Sequence, residues 1–212
     1  MLVSLSTMPA GENYLEYIQK VQNFADFVHL DVCDGMYNST KCFLPEYAQK
    51  INQNTTLPID CHLMTKNVLP LAKQYIKAGA NIVTAQIESF QNKAEVLEFI
   101  NYVKSHNALC GLALEPETEI ADILQYIEQL DLVLVMAVPT GKSGQDFDAK
   151  VLPKIEQINS LKHNYNFKIE VDGGITNQTV QLVKNIGVDI VVSGKFVFDA
   201  TDAQNAINQL KI

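Results

Sequence analysis

Four side chains that lie far apart in the chain, His29, Asp31, His62 and Asp172, are of types that could share one divalent cation. Two neutral imidazoles and two carboxylates form a mixed nitrogen/oxygen donor set that suits zinc, iron, manganese or cobalt. Carboxylates that hold a cation beside a substrate can also carry protons, which points to proton abstraction next to a carbonyl. Singly, each residue has a plainer reading: His29 with Asp31 as a buried ion pair, Asp172 as the cap of a turn or helix. What sets the four apart is their position, because each falls at the end of an apolar run. His29 and Asp31 alternate with Val28, Leu30 and Val32, so a strand would carry imidazole and carboxylate on one face and the aliphatic side chains on the other. His62 ends Pro58-Ile-Asp-Cys-His, and Asp172 ends Lys168-Ile-Glu-Val-Asp.

The elements that would position these residues follow a regular rhythm. Apolar runs predict strands over residues 2–5, 27–32, 58–63, 82–85, 109–114, 132–138, 168–171 and 190–193. Amphipathic stretches between them predict helices over 13–23, 45–52, 67–78, 93–105, 119–129, 149–164, 176–186 and 203–210. Gly79 and Gly187 stand just past two of these helices, where a left-handed cap favours glycine, and Thr176 is a candidate N-cap. Eight strand–helix units in 212 residues predict an α/β (β/α)8 barrel, one domain spanning residues 1–212. An open doubly wound sheet would place a glycine fingerprint after the first strand, and Leu5-Ser-Thr-Met-Pro has none. In a barrel, active sites are built at the C-terminal strand ends, with phosphate commonly held after strands seven and eight. His29, Asp31, His62 and Asp172 fall at such ends, on strands two, three and seven.

Composition narrows the partners. A net charge of −8 argues against nucleic acid or an anionic membrane, yet leaves room for a phosphorylated small molecule held by local amides and one or two cations. No run is apolar and long enough to span a bilayer, and the N-terminus shows no signal peptide. Cys33, Cys42, Cys61 and Cys110 are irregularly spaced, which predicts reduced thiols and a cytoplasmic protein. The composition is compatible with a homo-oligomer and does not specify one.

Several segments, in order, resemble those of the ribulose-phosphate 3-epimerase family. They are Ser4 on strand one, Val28-His-Leu-Asp-Val-Cys-Asp-Gly, Asp60-Cys-His-Leu-Met, Gly111-Leu-Ala-Leu-Glu-Pro-Glu-Thr, Leu134-Val-Met-Ala-Val and Val171-Asp-Gly-Gly-Ile. The resemblance implies a metal-dependent 3-epimerase with His29, Asp31, His62 and Asp172 as metal ligands and Asp31 and Asp172 as the two proton carriers. It implies ribulose 5-phosphate and xylulose 5-phosphate as substrates, with a ketohexose 6-phosphate such as allulose 6-phosphate as the alternative. A barrel that binds a sugar phosphate without turning it over is a third reading, opposed by the intact set of four. Ser4, His62, Met64 and Met136 would line the sugar site, the methionines as an apolar lid or as plain core. Ser143-Gly144-Gln145, Gly173-Gly174 and Gly194-Lys195 would cradle the phosphate.

The chain also departs from the family pattern. Cys33 stands where a methionine is usual, Asp34-Gly-Met-Tyr-Asn-Ser-Thr-Lys lacks the Val-Pro-Asn that family members carry after strand two, and Gln86 replaces a histidine, although Glu88 is kept. Lys142 replaces an aromatic residue and Lys195 a serine; either lysine could be a counter-charge to phosphate or a solvated surface group. These departures concern the substrate mouth rather than the four ligands.

Overall fold

The computed structural model describes residues 1–212, and its centre is a closed parallel barrel. The barrel strands are β1 (Leu2–Ser6), β2 (Phe27–Asp34), β3 (Ile59–Met64), β4 (Ile82–Gln86), β5 (Leu109–Leu114), β6 (Leu132–Met136), β7 (Lys168–Asp172) and β8 (Ile190–Ser193). Each pairs in parallel with the next, and β1 closes the ring by pairing with both β2 and β8. The architecture is a TIM barrel, as the rhythm of the sequence predicts. Every strand lies within two residues of its expected bounds. Outward-facing Val28, Leu30, Cys61, Leu63, Val83, Leu112, Val133, Val135, Ile169 and Val191 are fully buried beneath the helices, which is why the strands read as near-continuous apolar runs.

The helices that cover the barrel are α1 (Tyr14–Val21), α2 (Pro45–Asn54), α3 (Val68–Lys77), α4 (Lys93–Ser105), α5 (Ala121–Leu124), α6 (Leu152–Leu161), α7 (Val180–Lys184), α8 (Lys195–Phe198) and α9 (Ala203–Leu210). Asn92 and Asp202 cap α4 and α9 by accepting from the N–H groups of Glu95 and Asn205. Three helices are shorter than the apolar pattern predicts, and α6, expected over 149–164, is preceded by a 3₁₀ turn at Ala149–Val151. The segment expected as a helix over 119–129 breaks into α5 and a 3₁₀ turn at Ile127–Gln129. The one expected over 176–186 contracts to α7. Thr176 does not cap it: its hydroxyl accepts from the N–H groups of Gln178 and Thr179 and builds the preceding turn instead. The sequence also does not foretell the two-residue antiparallel ribbon Lys41–Cys42 on the end of β2. No helix is long and apolar enough to cross a membrane.

The interior is stacked in layers of four, each layer drawn from alternate strands. The floor is apolar: Phe27, Ile82, Leu132 and Ile190 from the even-numbered strands. Above it lie Ser4, Asp60, Gly111 and Glu170 from the odd strands, then His29, Thr84, Leu134 and Val192. The next layer is Ser6, His62, Ala113 and Asp172, and the top one contains Asp31, Gln86 and Met136. Gly111 has to be glycine, because a Cβ there would lie 2.4 Å from the Thr84 hydroxyl. The metal-type side chains therefore occupy three successive layers at the C-terminal mouth, with a polar layer directly beneath them.

Candidate active site

The strand register brings His29, Asp31, His62 and Asp172 together, with one ligand atom of each lying within 4.8 Å of the other three. Asp31 Oδ1 is 3.4 Å from His29 Nε2 and 3.4 Å from His62 Nδ1, and Asp172 Oδ2 is 3.9 Å from His29 Nε2. Both imidazoles are wholly buried, yet His29 Nε2 and both His62 ring nitrogens have no hydrogen-bond partner. Orphaned buried nitrogens are costly unless something pairs with them, and a divalent cation bound between two imidazoles and two carboxylates would do so. The donor set and spacing fit such an ion.

The layer below orients this cluster. His29 Nδ1 donates to Asp60 Oδ2 at 2.7 Å, which leaves Nε2 as the ring nitrogen that faces the site. Ser4 donates to the same Asp60 oxygen at 3.0 Å. Glu170, fully buried beside Asp60, has its carboxyl pushed well up, first by burial and then by the Asp60 charge, so it is the protonated member of that pair. Burial works in the same upward direction on Asp60, but the His29 charge outweighs it and holds Asp60 ionised. Asp60 and Glu170 were missed in the sequence. They lie two residues before His62 and Asp172, so strand alternation places them on the same face two layers deeper.

The two mouth carboxylates are pushed apart. Burial favours the neutral form of both, but the charges of His29 and His62 win at Asp31 and hold it well below the usual range. At Asp172, burial and the Asp31 charge prevail and raise the carboxyl to about 6. Burial opposes a charge on His29 as well, yet the Asp60 and Asp31 charges raise its pKa well above the usual value. An ion bound at Nε2 must therefore displace the His29 proton at neutral pH, and below about pH 6 the Asp172 proton too. Metal affinity is expected to rise about tenfold per pH unit through neutrality and more steeply below pH 6. Competition titrations with a chelator between about pH 5 and 8 would check this; a flat profile would contradict it.

Above the cluster lies a cavity of about 680 Å³. Asp31, Asp172, Met64 and Met136 line it, as do Ser143, Gly144, Gln145, Gly173, Gly174, Gly194 and Lys195. One sequence expectation changes, and two others gain partners within the protein. Ser4 does not reach the cavity, because it lies in the second layer against Asp60; Ser6 lines it instead and donates to Asp31 Oδ2 at 3.2 Å. Gln145 donates to the carbonyls of Pro139 and Lys142, so it closes the loop after β6 on itself. Lys195 begins α8 with its ammonium paired to Asp199, one helical turn on, and is largely exposed. Lys142 is exposed on the cavity rim. Gly173 and Gly174 adopt positive φ values of 116° and 64°, and a Cβ on Gly174 would lie 2.2 Å from the Phe147 nitrogen.

The far side of the mouth is closed by the segment after β2. The Tyr37 hydroxyl lies 3.1 Å from Glu115 Oε1 and 3.4 Å from Glu88 Oε2. Gln86 also donates to Glu115, at 3.1 Å, and Thr40 donates to the Gly141 carbonyl at 2.7 Å. The departures at Gln86 and residues 38–40 are thus tied into one network that roofs the β4–β5 side.

Comparison with known proteins agrees with the geometry. The profile described as the ribulose-phosphate 3 epimerase family matches residues 3–198. The chain is 33% identical over 214 aligned residues to a ribulose-phosphate 3-epimerase of Helicobacter pylori, covering 100% of this chain and 97% of that one. It is 32% identical over 190 residues to the Bacillus subtilis protein of the same name, covering 88% and 86% respectively. Among solved structures, 3-hexulose-6-phosphate synthase superposes with a TM-score of 0.68 at 18% identity, covering 100% of this chain and 98% of that one. A 3-keto-L-gulonate-6-phosphate decarboxylase from Vibrio cholerae superposes with a TM-score of 0.71 at 12% identity, covering 100% and 95%. At those identities the structural likeness speaks for the barrel alone. With a profile match across most of its length, relatives above 30% identity, and four metal-type side chains gathered at the barrel mouth, this chain belongs to the ribulose-phosphate 3-epimerase family.

Proposed function

We propose that this protein interconverts D-ribulose 5-phosphate and D-xylulose 5-phosphate by moving a proton at carbon three. The observation that carries the reading is that Asp31 and Asp172 both line the cavity beside two buried imidazoles with unpartnered nitrogens. His29, Asp31, His62 and Asp172 would hold one divalent ion of zinc, iron, manganese or cobalt. Bound there, it supplies positive charge that lowers the cost of negative charge developing on the substrate's ketone and hydroxyl oxygens.

The remaining work belongs to side chains and backbone. Epimerisation removes a weakly acidic proton from one face of the carbon and delivers one to the other, so it needs two carriers in opposite protonation states. Asp31 and Asp172 approach from β2 and β7, and their environments separate the two in proton affinity, with Asp31 held low and Asp172 raised to about 6, so Asp172 is the one that more readily holds the proton. The Ser6 hydrogen bond holds Asp31 in place. Met64 and Met136, both nearly fully buried, present apolar surface that keeps water from the reacting carbon. At the other end of the cavity, the N–H groups of Gly173 and Gly174 make no hydrogen bond within the protein and are available to a phosphate.

Steady-state assays with pentulose 5-phosphates and hexulose 6-phosphates would test the assignment. It predicts turnover of ribulose 5-phosphate with kcat/KM well above that for allulose 6-phosphate. A preference for the hexulose would move the assignment to the longer sugar, and binding without turnover of either would leave a non-catalytic barrel.

Lys195 gives a separate expectation. Its ammonium already serves Asp199 and is solvent-screened, so its added attraction for phosphate is modest. Lys195→Ser should raise KM about three- to tenfold and leave kcat nearly unchanged, because the contact is made equally in ground and transition states. Steady-state kinetics check this, and an unchanged KM would mean that the lysine serves Asp199 alone.

A further inference from the structure

Past Asp31, β2 turns back on itself, and the antiparallel ribbon that results makes Cys33 and Cys42 direct cross-strand partners. Residues opposed in this way share a face and have Cα atoms roughly 4.5–5.5 Å apart. Disulfides span Cα separations of about 4.4–6.8 Å, so the backbone is already at bridging distance. The Cys42 thiol donates to the Asp31 carbonyl at 3.2 Å. Cys61 and Cys110 offer a contrast. Both are fully buried on β3 and β5, and their register partners are Leu30 and Val83 for Cys61 and Val83 for Cys110, none of them cysteine.

The segment between the two cysteines is the one that roofs the mouth. Tyr37 reaches Glu88 and Glu115, Asn38 contacts the Met64 sulfur at 3.8 Å, and Thr40 bonds to the loop after β6. A covalent bond between Cys33 and Cys42 would tie the two ends of this segment together beside a candidate metal ligand. We propose that Cys33 and Cys42 form a redox pair, joined reversibly as a cross-strand disulfide by exchange with a small-molecule disulfide such as oxidised glutathione.

The chemistry balances without another reactant. Cys42 is only half-buried, so its thiolate is the one an external disulfide can meet. It attacks one sulfur of oxidised glutathione, forms a mixed disulfide and releases one glutathione. The Cys33 thiolate then attacks the Cys42 sulfur and releases the second. The protein loses two protons and two electrons, and the oxidised glutathione gains them as two thiols.

The test uses metal-loaded protein incubated with oxidised glutathione, then acid-quenched, alkylated under denaturing conditions and mapped by non-reducing mass spectrometry. The expected product lacks two hydrogens, carries a Cys33–Cys42 cross-linked peptide, retains alkylatable Cys61 and Cys110, and reverts fully with dithiothreitol. Cys42→Ser keeps a donor for the Asp31 carbonyl and should show no loss of hydrogens and no cross-link. Four alkylatable thiols after incubation, a mixed disulfide at Cys42 that never resolves, or any other pairing would overturn the proposal.

Discussion

Asp31→Asn and Asp172→Asn are each expected to lower the rate of net epimerisation by about 10³- to 10⁵-fold. Asparagine keeps the size of the side chain and an oxygen that can face a cation, but it can neither take nor give the substrate proton. Either direction of the reaction needs one carboxyl on each face, so losing one blocks both directions even though the other remains. The retained carboxyl should still exchange the carbon-three proton of one epimer with solvent. Progress curves from both epimers, with metal content measured alongside, separate lost proton transfer from lost metal. Near-normal turnover in either variant would remove that carboxylate from the proton path.

The second large effect concerns the metal. His62→Ala removes a wholly buried imidazole whose two nitrogens have no protein partner, and so a side chain whose polar atoms contribute no hydrogen bond to the fold. The truncation costs packing on the order of 1–3 kcal/mol, which a barrel with a large continuous core can absorb. The variant should keep its far-ultraviolet circular dichroism, lose stoichiometric metal and fall in activity by about 10³-fold or more. Metal at about one ion per chain in this variant would show that the ion is held elsewhere.

Much of this architecture was legible because two signals coincide. Buried parallel strands carry near-continuous apolar runs, as β5 and β6 do. The polar exceptions at His29, Asp31, His62 and Asp172 stand out against those runs, and alternation shows which face they occupy. Depth was harder to see. Ser4 and Ser6 share a face of β1, but only the stagger of the closed barrel places Ser4 beside Asp60 and Ser6 in the cavity. The same stagger turns Asp60 and Glu170 into the support beneath His29. Short covering helices were misjudged where the chain had little length to propagate them, as at α5 and α7, since nucleation is costly and tertiary packing decides their extent. The Lys195–Asp199 pair was readable from its four-residue spacing once α8 existed, but a four-residue helix gives almost no periodic signal.

The central claim is that two carboxylates at the mouth of this barrel move a proton at carbon three of a ketose phosphate. Its most direct test is proton NMR of metal-loaded protein with ribulose 5-phosphate in deuterium oxide. The account predicts xylulose 5-phosphate carrying one solvent deuteron at carbon three from the first turnovers, with no label at any other carbon that reaction leaves untouched. Product that retains the original proton at carbon three, or a fully metal-loaded protein that exchanges nothing there, would contradict it.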